Sequence, residues 1–399
     1  MERKVIQVEE RPPLLLNIPL SIQHLFAMFG ATVLVPFLFN VNPTTCLFMN
    51  GIGTLLYLFL TKGKIPSYLG SSFAFISPVM VILSTSSYSD AQSGFIVFGL
   101  IFILFSLIIK YTGTGWIDII FPPACMGAII AVIGLELAPT AAGMAGLTGD
   151  VIDFRNIAVS MFTLAVTIIG SVAFKGFMAI IPILFGVICG YIFSFFMGLV
   201  DLAPVAAAPW FQMPHFYQPT FNLNAILIIA PAALVVLAEH IGHLVVTGNV
   251  VERNLIKDPG LARSLFADGC SNVLSGFFGA TPNTTYGENI GVMAITKVYS
   301  VWVIGGAAVM AICLSFIGKL SELIRSIPVP VMGGVCILLF GVIAASGIRV
   351  LVESKVDYSK SANLVMSSVI MIVGLSGAKL TFGTISVQGM VLATLVAIL

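Results

Sequence analysis

Charged residues are scarce in this 399-residue sequence: only 9% of the chain is Asp, Glu, Lys or Arg, whereas 58% is hydrophobic. A soluble domain carries about 25% charged residues. The 18 basic and 17 acidic side chains are therefore too few to cover a water-soluble body of this length. This shortage excludes a cytosolic enzyme, a nucleic-acid-binding protein, a disordered chain and a secreted disulfide-bonded domain. It predicts an all-α polytopic membrane protein.

Patterns typical of metal sites and disulfides are also missing. The six cysteines stand singly inside or beside apolar runs, without a Cys-x-x-Cys or Cys/His pair, and we interpret them as packing residues. No cofactor or metal is expected, and no Ser/His nucleophile pair favours an intramembrane enzyme. Residues 1–13 are polar and lack the apolar core of a cleaved signal. They predict a cytoplasmic N-terminal tail.

Long apolar runs are what the sequence has in abundance. A transmembrane helix needs about 20 apolar residues, and fourteen segments come close to this length. They are residues 20–39, 44–60, 66–84, 92–110, 122–140, 156–174, 177–200, 222–243, 262–280, 284–298, 300–318, 328–346, 362–377 and 383–399. The third and tenth contain too many Gly, Pro and polar residues to be plain helices that face lipid.

The distribution of basic residues supports this number of spans. With the N-terminus inside, the predicted outside loops contain only four of the 18 basic residues, namely Arg155, Lys319, Arg325 and Lys379. The other 14 fall in inside segments, as the positive-inside rule requires. We therefore expect a multi-pass protein of the inner (plasma) membrane with a cytoplasmic N-terminus.

The two halves of the chain resemble each other weakly. Segment 68–80 aligns with segment 281–293, and Pro123 aligns with Pro330 in a second alignment. Seven spans per half is an odd number, so the halves must have opposite orientations, as in the inverted repeats of transporters. The second half is the shorter one, which leads us to expect a truncated last helix.

The broken third and tenth spans carry the strongest functional signal. A half-helix that starts in mid-membrane directs free N–H groups and a positive dipole end toward the centre. Such starts are predicted at Ser77-Pro78 and Gly287-Glu288. The short stretches before them, residues 70–72 and 284–285, predict extended segments, which a membrane tolerates only where they line a cavity. We expect these segments to pair as short antiparallel β-strands; ordinary Gly/Pro kinks are the alternative.

Few ionisable residues fall within the apolar spans. Glu239 and His243 lie one turn apart near the end of the eighth span, and Glu288 lies in the broken tenth span. Burying a carboxylate costs several kcal/mol, and no Lys or Arg lies in the middle of any span. Glu239 and Glu288 are therefore expected to be protonated, to hold a cation or to bind a ligand.

Other polar residues of the spans have simpler interpretations. We interpret His24 and His240 as structural residues, and we interpret Glu136 as a side chain that extends toward the lipid headgroups. For Asp268, a polar contact within the bundle and a functional role are both open. For His243, a packing role stays open beside the functional one.

Four sequence blocks resemble the nucleobase–ascorbate transporters, or nucleobase:cation symporters. Residues 288–297, Glu-Asn-Ile-Gly-Val-Met-Ala-Ile-Thr-Lys, are similar to the family signature, and residues 238–243, 70–78 and 23–30 are similar to its other blocks. The similarity extends along essentially the whole chain. It implies a secondary transporter that imports uracil with protons, works by alternating access and forms a homodimer in the lipid bilayer.

The resemblance also implies a division into domains. After the tail of residues 1–13, a core domain is expected from residues 14–115 and 206–318, which hold spans 1–4 and 8–11. A gate domain is expected from residues 116–205 and 319–399, which hold spans 5–7 and 12–14. The substrate would lie between the broken third and tenth spans.

The resemblance further implies the residues of the site. The implied substrate contacts are Glu239, Glu288, Phe73, Gly287, Tyr286 and Ser72, and the implied proton-coupling residues are Glu239 and His243. In this scheme the carboxylates accept the N–H groups of the base, and the backbone amides of Phe73 and Gly287 donate to its carbonyl groups. A Glu at position 288, where purine carriers tend to have Gln, favours a pyrimidine.

The chain departs from the pattern of uracil carriers at two positions of span twelve. Cys336 and Phe340 stand where that pattern has Ser and Tyr, so two hydroxyl groups of the gate are missing. Three alternatives stay open beside uracil:proton symport. They are a carrier of the same fold for xanthine, urate or an inorganic anion, a Na+-coupled carrier, and an ion channel.

Overall fold

The computed structural model describes residues 5–116, 122–149, 152–176, 178–382 and 385–398. Among these residues, seven helices are long and apolar enough to cross a membrane. The expectation of a helical multi-pass membrane protein is therefore confirmed. The number of fourteen spans and the inverted repeat stay predictions.

The elements follow each other along the chain as helices with few strands. The first half contains α1 (Leu14–Ala27), α2 (Phe29–Leu38), α3 (Pro43–Leu60), β1 (Leu69–Ser71), a 3-10 turn (Phe73–Phe75), α4 (Ile76–Leu83), α5 (Tyr88–Thr112), α6 (Pro123–Glu136), α7 (Ala138–Met144), α8 (Phe154–Ala173), a second 3-10 turn (Met178–Ile180), α9 (Pro182–Phe196) and α10 (Ala203–Ala207). The second half contains α11 (Leu223–Ile229), α12 (Ala232–Val250), a wide turn (Ile256–Gly260), α13 (Leu261–Phe278), β2 (Asn283–Thr285), α14 (Gly287–Thr296), α15 (Val301–Ser315), α16 (Gly318–Arg325), α17 (Val329–Glu353), α18 (Ser361–Leu375), β3 (Lys379–Phe382), β4 (Ile385–Gln388) and α19 (Gly389–Ile398).

The chain forms two compact units. Unit 1 contains Met1–Trp116 and Pro209–Ser321, and unit 2 contains Ile117–Ala208 and Glu322–Leu399. Each unit is therefore assembled from one segment of each half of the chain. Whether the units act as core and gate stays a prediction.

Unit 1 is held together by close contacts between helix backbones. Helix α13 packs along α5 and α3, and α15 packs against α3 and α1. A Cβ atom on Gly99 of α5 would overlap the backbone of α13 at Gly269, and one on Gly276 would overlap α5 at Ile96. Small residues at such positions let membrane helices approach each other closely.

The two short strands of unit 1 pair as the sequence predicts. Strands β1 and β2 are antiparallel, with Leu69 opposite Thr285, Gly70 opposite Thr284, and Ser71 opposite Asn283. The helices that follow them, α4 and α14, start within two residues of the predicted half-helix starts. We call β1 and β2 together the ribbon.

Helix α12 extends farther than the sequence predicts. The eighth span was expected to end at residue 243, but α12 continues to Val250, so Glu239 and His243 lie in mid-helix. The prediction was wrong because Leu244 and the valines after it continue the apolar helix, and no proline interrupts it. Pro231 instead separates α12 from α11 at the other end.

Unit 2 contains a hairpin where the sequence predicts the start of a helix. Strands β3 and β4 pair antiparallel, and α19 begins only at Gly389, so the expected helix from residue 383 was wrong in its first part. Gly377 and Gly389 have φ angles of 70° and 58°, a left-handed conformation that interrupts regular structure on both sides. β-Branched residues such as Val387 favour an extended chain between them.

Glu136 has a different role from the one predicted. Its Oε2 atom accepts the backbone N–H of Met390 at 2.8 Å, in the first turn of α19. A carboxylate at a helix N-terminus is stabilised by the free N–H groups and by the dipole there. The side chain therefore holds α19 to α6 within unit 2 instead of extending toward headgroups.

Candidate functional site

Helix α12 brings its ionisable residues to the broken segments of unit 1. It packs against β2, against the 3-10 turn Phe73–Phe75 and against α14. Glu239 and His243, four residues apart, lie on the same face of this helix. Of the residues predicted for the site, Glu239 and His243 therefore lie on the helix that adjoins Phe73, Gly287 and Glu288.

His243 lies at the junction of β2 and α14. Its Nδ1 atom is 3.2 Å from the Thr285 hydroxyl oxygen. A Cβ atom placed on Gly287 would lie 3.2 Å from the imidazole Nε2 atom. Glycine at this position thus lets the imidazole ring approach the start of α14, where any other residue would crowd it.

The Glu239 carboxylate is left with unused hydrogen-bonding capacity. The Oε2 atom of Glu239 is buried and has no hydrogen-bond partner among the described residues. Glu239 lies on α12, which packs against α14, the helix that carries Glu288 in its first turn. A buried acceptor without a donor costs about 1–3 kcal/mol. A ligand that brings N–H groups to this place would remove that cost.

The start of α14 supplies hydrogen-bond donors beside the carboxylates. Tyr286, the residue before the helix, gives it no side-chain cap, and Glu288 lies in the first turn. The first N–H groups of a helix have no acceptor within the helix, and they carry the positive end of its dipole. The amides at Gly287 and Glu288 therefore offer donors where Glu288 and Glu239 offer acceptors.

Tyr286 is bound into the ribbon. Only 3% of the residue is exposed, and its hydroxyl donates to the carbonyl of Ser71 at 3.1 Å. Its ring lies over Gly70, where a Cβ atom would overlap it. The side chain thus joins the two strands to each other, while its predicted contact with substrate stays a prediction.

Ser72 and Phe73 continue the chain from the ribbon into the 3-10 turn. The backbone N–H of Ser72 donates to the Pro282 carbonyl at 2.9 Å, and its hydroxyl accepts the N–H of Ala74 at 3.3 Å. Phe73 is buried. Ser72 therefore fixes the turn that presents the backbone of Phe73 to α12.

Side chains bind the backbone N–H and carbonyl groups along the outer edges of the ribbon. Asn272 of α13 accepts the backbone N–H of Asn283 at 2.7 Å and donates to the carbonyl of the same residue at 2.9 Å. On the other strand, the Thr54 hydroxyl accepts the N–H of Leu69 at 2.9 Å. Because buried backbone groups need partners, these side chains allow an extended backbone in apolar surroundings. Sequence reasoning missed Asn272.

Asp268 and His240 belong to the same buried network. The Asp268 Oδ2 and His240 Nδ1 atoms are 2.9 Å apart, and neither side chain is exposed. His240 Nε2 is 2.7 Å from the Ser264 hydroxyl, which is 2.6 Å from the hydroxyl of Tyr57. Asp268 also accepts from Asn272 at 3.1 Å. His240 is therefore structural, as expected, and Asp268 makes the polar contact that the sequence left open.

His24 also has a definite partner. The side-chain amide of Asn289, in the first turn of α14, donates to the His24 Nδ1 atom and to its backbone carbonyl, each at 3.1 Å. His24 thus ties α1 to the helix that carries Glu288. This contact agrees with the structural role predicted for His24.

Replacing Asn272 with alanine is expected to lower the melting temperature of the purified protein. The buried N–H and carbonyl of Asn283 would lose their partner, at a cost of about 1–3 kcal/mol for each unsatisfied group. The exposed Asn249 of α12 provides the matched Asn249→Ala control. Equal melting temperatures for the two variants in detergent would contradict the role assigned to Asn272.

Comparison with solved structures shows what this fold resembles. The chain aligns with the transmembrane domain of a cyanobacterium bicarbonate transporter, BicA, with a TM-score of 0.70 at 14% identity, over 99% of each chain. It aligns with SLC26A9 with a TM-score of 0.66 at 12% identity, over 96% of this chain and 64% of the other. These likenesses concern the fold alone.

The sequence has much closer relatives. It is 64% identical to the uracil permease of Escherichia coli (strain K12) over 401 residues, which cover 100% of this chain and 93% of that protein. It is 61% identical to the uracil permease of Paenibacillus larvae subsp. larvae over 405 residues, covering 100% and 96%. Residues 16–382 match a family model described as the Permease family. The resemblance seen in the four sequence blocks is thus confirmed, and the chain belongs to this family of transporters, which are not enzymes.

Proposed function

We propose that the protein imports uracil together with protons. The observation that carries this proposal is the buried Oε2 atom of Glu239, which has no hydrogen-bond partner among the described residues and lies on the helix that packs against α14, the helix of Glu288. Uracil is neutral and has two ring N–H donors and two carbonyl acceptors. Two carboxyl groups can accept the donors, and amides at a half-helix start can donate to the acceptors. The permeases that are 64% and 61% identical to this chain carry uracil in their names.

The substrate contacts follow from this arrangement. Glu239 and Glu288 accept the N–H groups of the base, and the backbone amides of Phe73 and Gly287 donate to its carbonyl oxygens. The rings of Phe73 and Tyr286 pack against the faces of the base. Ser72 holds Phe73 in place, because its hydroxyl caps the 3-10 turn that begins at Phe73.

Glu239 and His243 couple transport to protons in this proposal. A carboxyl group in apolar surroundings holds a proton readily, and its affinity for that proton changes when a ligand or water reaches it. Glu239 takes up a proton as the base is loaded from outside, and it releases the proton inside. His243, one turn away and 3.2 Å from the Thr285 hydroxyl, assists this transfer.

The transport cycle is alternating access. We propose fourteen spans in an inverted repeat, a cytoplasmic N-terminus, unit 1 as the core that binds the base and unit 2 as the gate. Rigid rocking of the core against the gate exposes the fixed site to each side in turn, as in other transporters of this kind. We further propose that the protein acts as a homodimer in the plasma membrane.

The Glu288→Gln variant tests the substrate assignment. Uracil is expected to raise the melting temperature of the wild-type protein, as any ligand that prefers the folded state does. The variant should bind uracil about 10-fold to 100-fold more weakly, because one hydrogen bond to a charged group is worth about 1.5–3 kcal/mol. Titrations of uracil at several pH values, followed by thermal unfolding in detergent, give both dissociation constants.

Xanthine and sulfate serve as competing ligands in the same assay. Stabilisation by xanthine but not uracil would reject uracil as the substrate while keeping a nucleobase carrier. Stabilisation by sulfate would instead favour an inorganic anion. Replacement of Na+ by K+ without effect on uptake, together with loss of uptake when the proton gradient is collapsed, would support proton coupling.

A further inference from the structure

An N-terminal segment of unit 1 crosses the ends of the two helices that carry the carboxylates. We define residues 5–11 as the strap. Its Ile6 forms a parallel bridge with Val298, just after α14, and packs in a small cluster with Val298 and Val303. Val8 is fully buried. The strap is therefore packed onto the protein and is more than a solvated tail.

Backbone hydrogen bonds attach the strap to the end of α14. The N–H of Ile6 donates to the carbonyl of Lys297, the residue that ends α14, at 3.1 Å. In return, the backbone N–H of Tyr299 donates to the carbonyl of Ile6, and the backbone N–H of Val301 donates to the carbonyl of Val8, each at 2.9 Å. The strap thus lies along residues 297–301 like an added strand.

The start of α15 is attached as well. The hydroxyl of Ser300, the N-cap of α15, donates to the carbonyl of Glu10 at 2.6 Å. The guanidinium of Arg11 lies 4.8 Å from the centre of the Trp302 ring, at cation–π distance. The segment between α14 and α15 is therefore held along its length.

An ion pair attaches the same strap to the end of α12. Both guanidinium nitrogens Nη1 and Nη2 of Arg253 donate to the carboxylate of Glu9, the second at 2.8 Å. The backbone N–H of Arg253 donates to the carbonyl of Gly248, in the last turn of α12, at 2.9 Å. Arg253 is thus fixed to the helix that carries Glu239, and Glu9 to the strap bound behind Glu288.

We propose that the strap positions the two carboxylates of the site relative to each other, with Glu9 and Arg253 as positioning residues. The inference rests on the proposed function, because it assigns both Glu239 and Glu288 to one ligand. Helices α12 and α14 pack against each other, and α14 is a half-helix whose start is at the site. The strap connects the ends of these helices that lie away from the site, and it limits how α14 can tilt against α12. It thereby sets the distance between the carboxylates of Glu239 and Glu288.

The ion pair is at full strength at any pH above the ordinary pKa of the Glu9 carboxyl group. The Arg253 guanidinium, hydrogen-bonded to Glu9, holds the pKa of that carboxyl below its ordinary value of 4.5. A lowered pKa means that the stabilisation is complete above the ordinary value and is lost only as the pH falls through the lowered one. Near neutral pH, the strength of the ion pair therefore does not change with pH. Salt weakens it, because both side chains are partly exposed.

Charge reversal tests the proposal. Glu9→Arg and Arg253→Glu should each raise the KM for uracil by up to about fivefold in proteoliposomes, the upper end of the effect of an exposed pair, with little change in maximal rate. The double variant Glu9→Arg/Arg253→Glu should return KM to within about twofold of wild type. Glu353→Gln is the matched control, since it alters the exposed Arg349–Glu353 pair at 2.6 Å within α17 of unit 2, and it should leave KM unchanged.

Unchanged KM values in the single variants, no recovery in the double variant, or an equal effect of Glu353→Gln would each overturn the proposal. A distance measurement makes the test independent of the substrate. Spin labels on the exposed positions Val245 and Ile295 report the separation of α12 and α14, in a background with the six cysteines replaced.

The single variants should broaden the distance distribution, and the double variant should restore it. If uracil fails to bind the wild-type protein, the proposed function is wrong, and the spin-label distances still decide about the strap. If uracil binds but the distances do not respond, the strap alone is wrong. Glu9→Gln provides the same comparison if a charge-reversed variant does not fold.

Discussion

Glu239→Gln is expected to abolish uphill accumulation of uracil while exchange of uracil across the membrane continues. A glutamine has nearly the shape of a protonated glutamic acid and keeps one acceptor oxygen for the base. It has no proton to release, so a proton gradient can no longer drive net import. The position suits such a role, because the Glu239 Oε2 atom is buried without a partner among the described residues.

Proteoliposomes with an imposed pH gradient separate these two activities. Labelled uracil should enter Glu239→Gln vesicles only to the outside concentration, and it should still exchange with unlabelled uracil inside. Glu136→Gln is the matched control: it alters a carboxyl group of unit 2 that is occupied by the Met390 N–H and keeps an acceptor for it. Accumulation by Glu239→Gln at the wild-type level would contradict proton coupling through this residue.

The second large effect is expected from Gly70→Ala, which adds one methyl group to the ribbon. The new Cβ atom would overlap the ring of Tyr286. The ring cannot move away freely, because its hydroxyl is bound to Ser71 and the residue is 3% exposed. Forced overlap of this kind costs about 1–3 kcal/mol or more. We expect a lower melting temperature and loss of uracil binding, since the ribbon leads directly into α14.

A matched glycine separates this effect from a general effect of alanine. Gly305 of α15 has room for a Cβ atom, with its nearest neighbour, a Leu58 carbon, at 3.6 Å. Gly305→Ala should stabilise the protein by about 0.5–1 kcal/mol, as usual within a helix. Adding Tyr286→Ala to Gly70→Ala should recover part of the melting temperature. If removal of the ring gave no recovery, the overlap would not be the cause.

The parts of the site that the sequence predicts are those set by local chemistry. Gly, Pro and Thr in apolar spans indicate where helices break, and both half-helix starts follow from them within two residues. The four-residue spacing of Glu239 and His243 fixes their common face on α12. The pairing of β1 with β2 followed because two broken segments without partners would leave buried backbone groups unsatisfied.

Contacts between distant segments escaped prediction because side-chain packing decides them. Nothing near Asn272 in the sequence indicates that its amide would bind the backbone of Asn283, and the pairing of Glu9 with Arg253 is equally remote. A signal for the first was nevertheless present as a polar stripe on one face of α13. Its members recur at helical spacing: Ser264, Asp268, Ser271, Asn272 and Ser275. The hairpin of β3 and β4 was missed although polar and apolar residues alternate in both strands, a pattern typical of β-structure, because the predicted span started inside the hairpin at residue 383.

The ribbon also constrains how the protein is made. Its strands come from opposite halves of the chain, and the hydrogen bond from Tyr286 to Ser71 joins residues 215 positions apart. At about 5–20 residues per second, synthesis takes roughly 10–40 s to reach β2 after β1 has been made. During that interval β1 has no strand partner, and the membrane already contains several completed helices around it. Assembly of the site is therefore a late event of biogenesis. Until β2 has been made, the backbone N–H and carbonyl groups of β1 need hydrogen-bond partners other than β2.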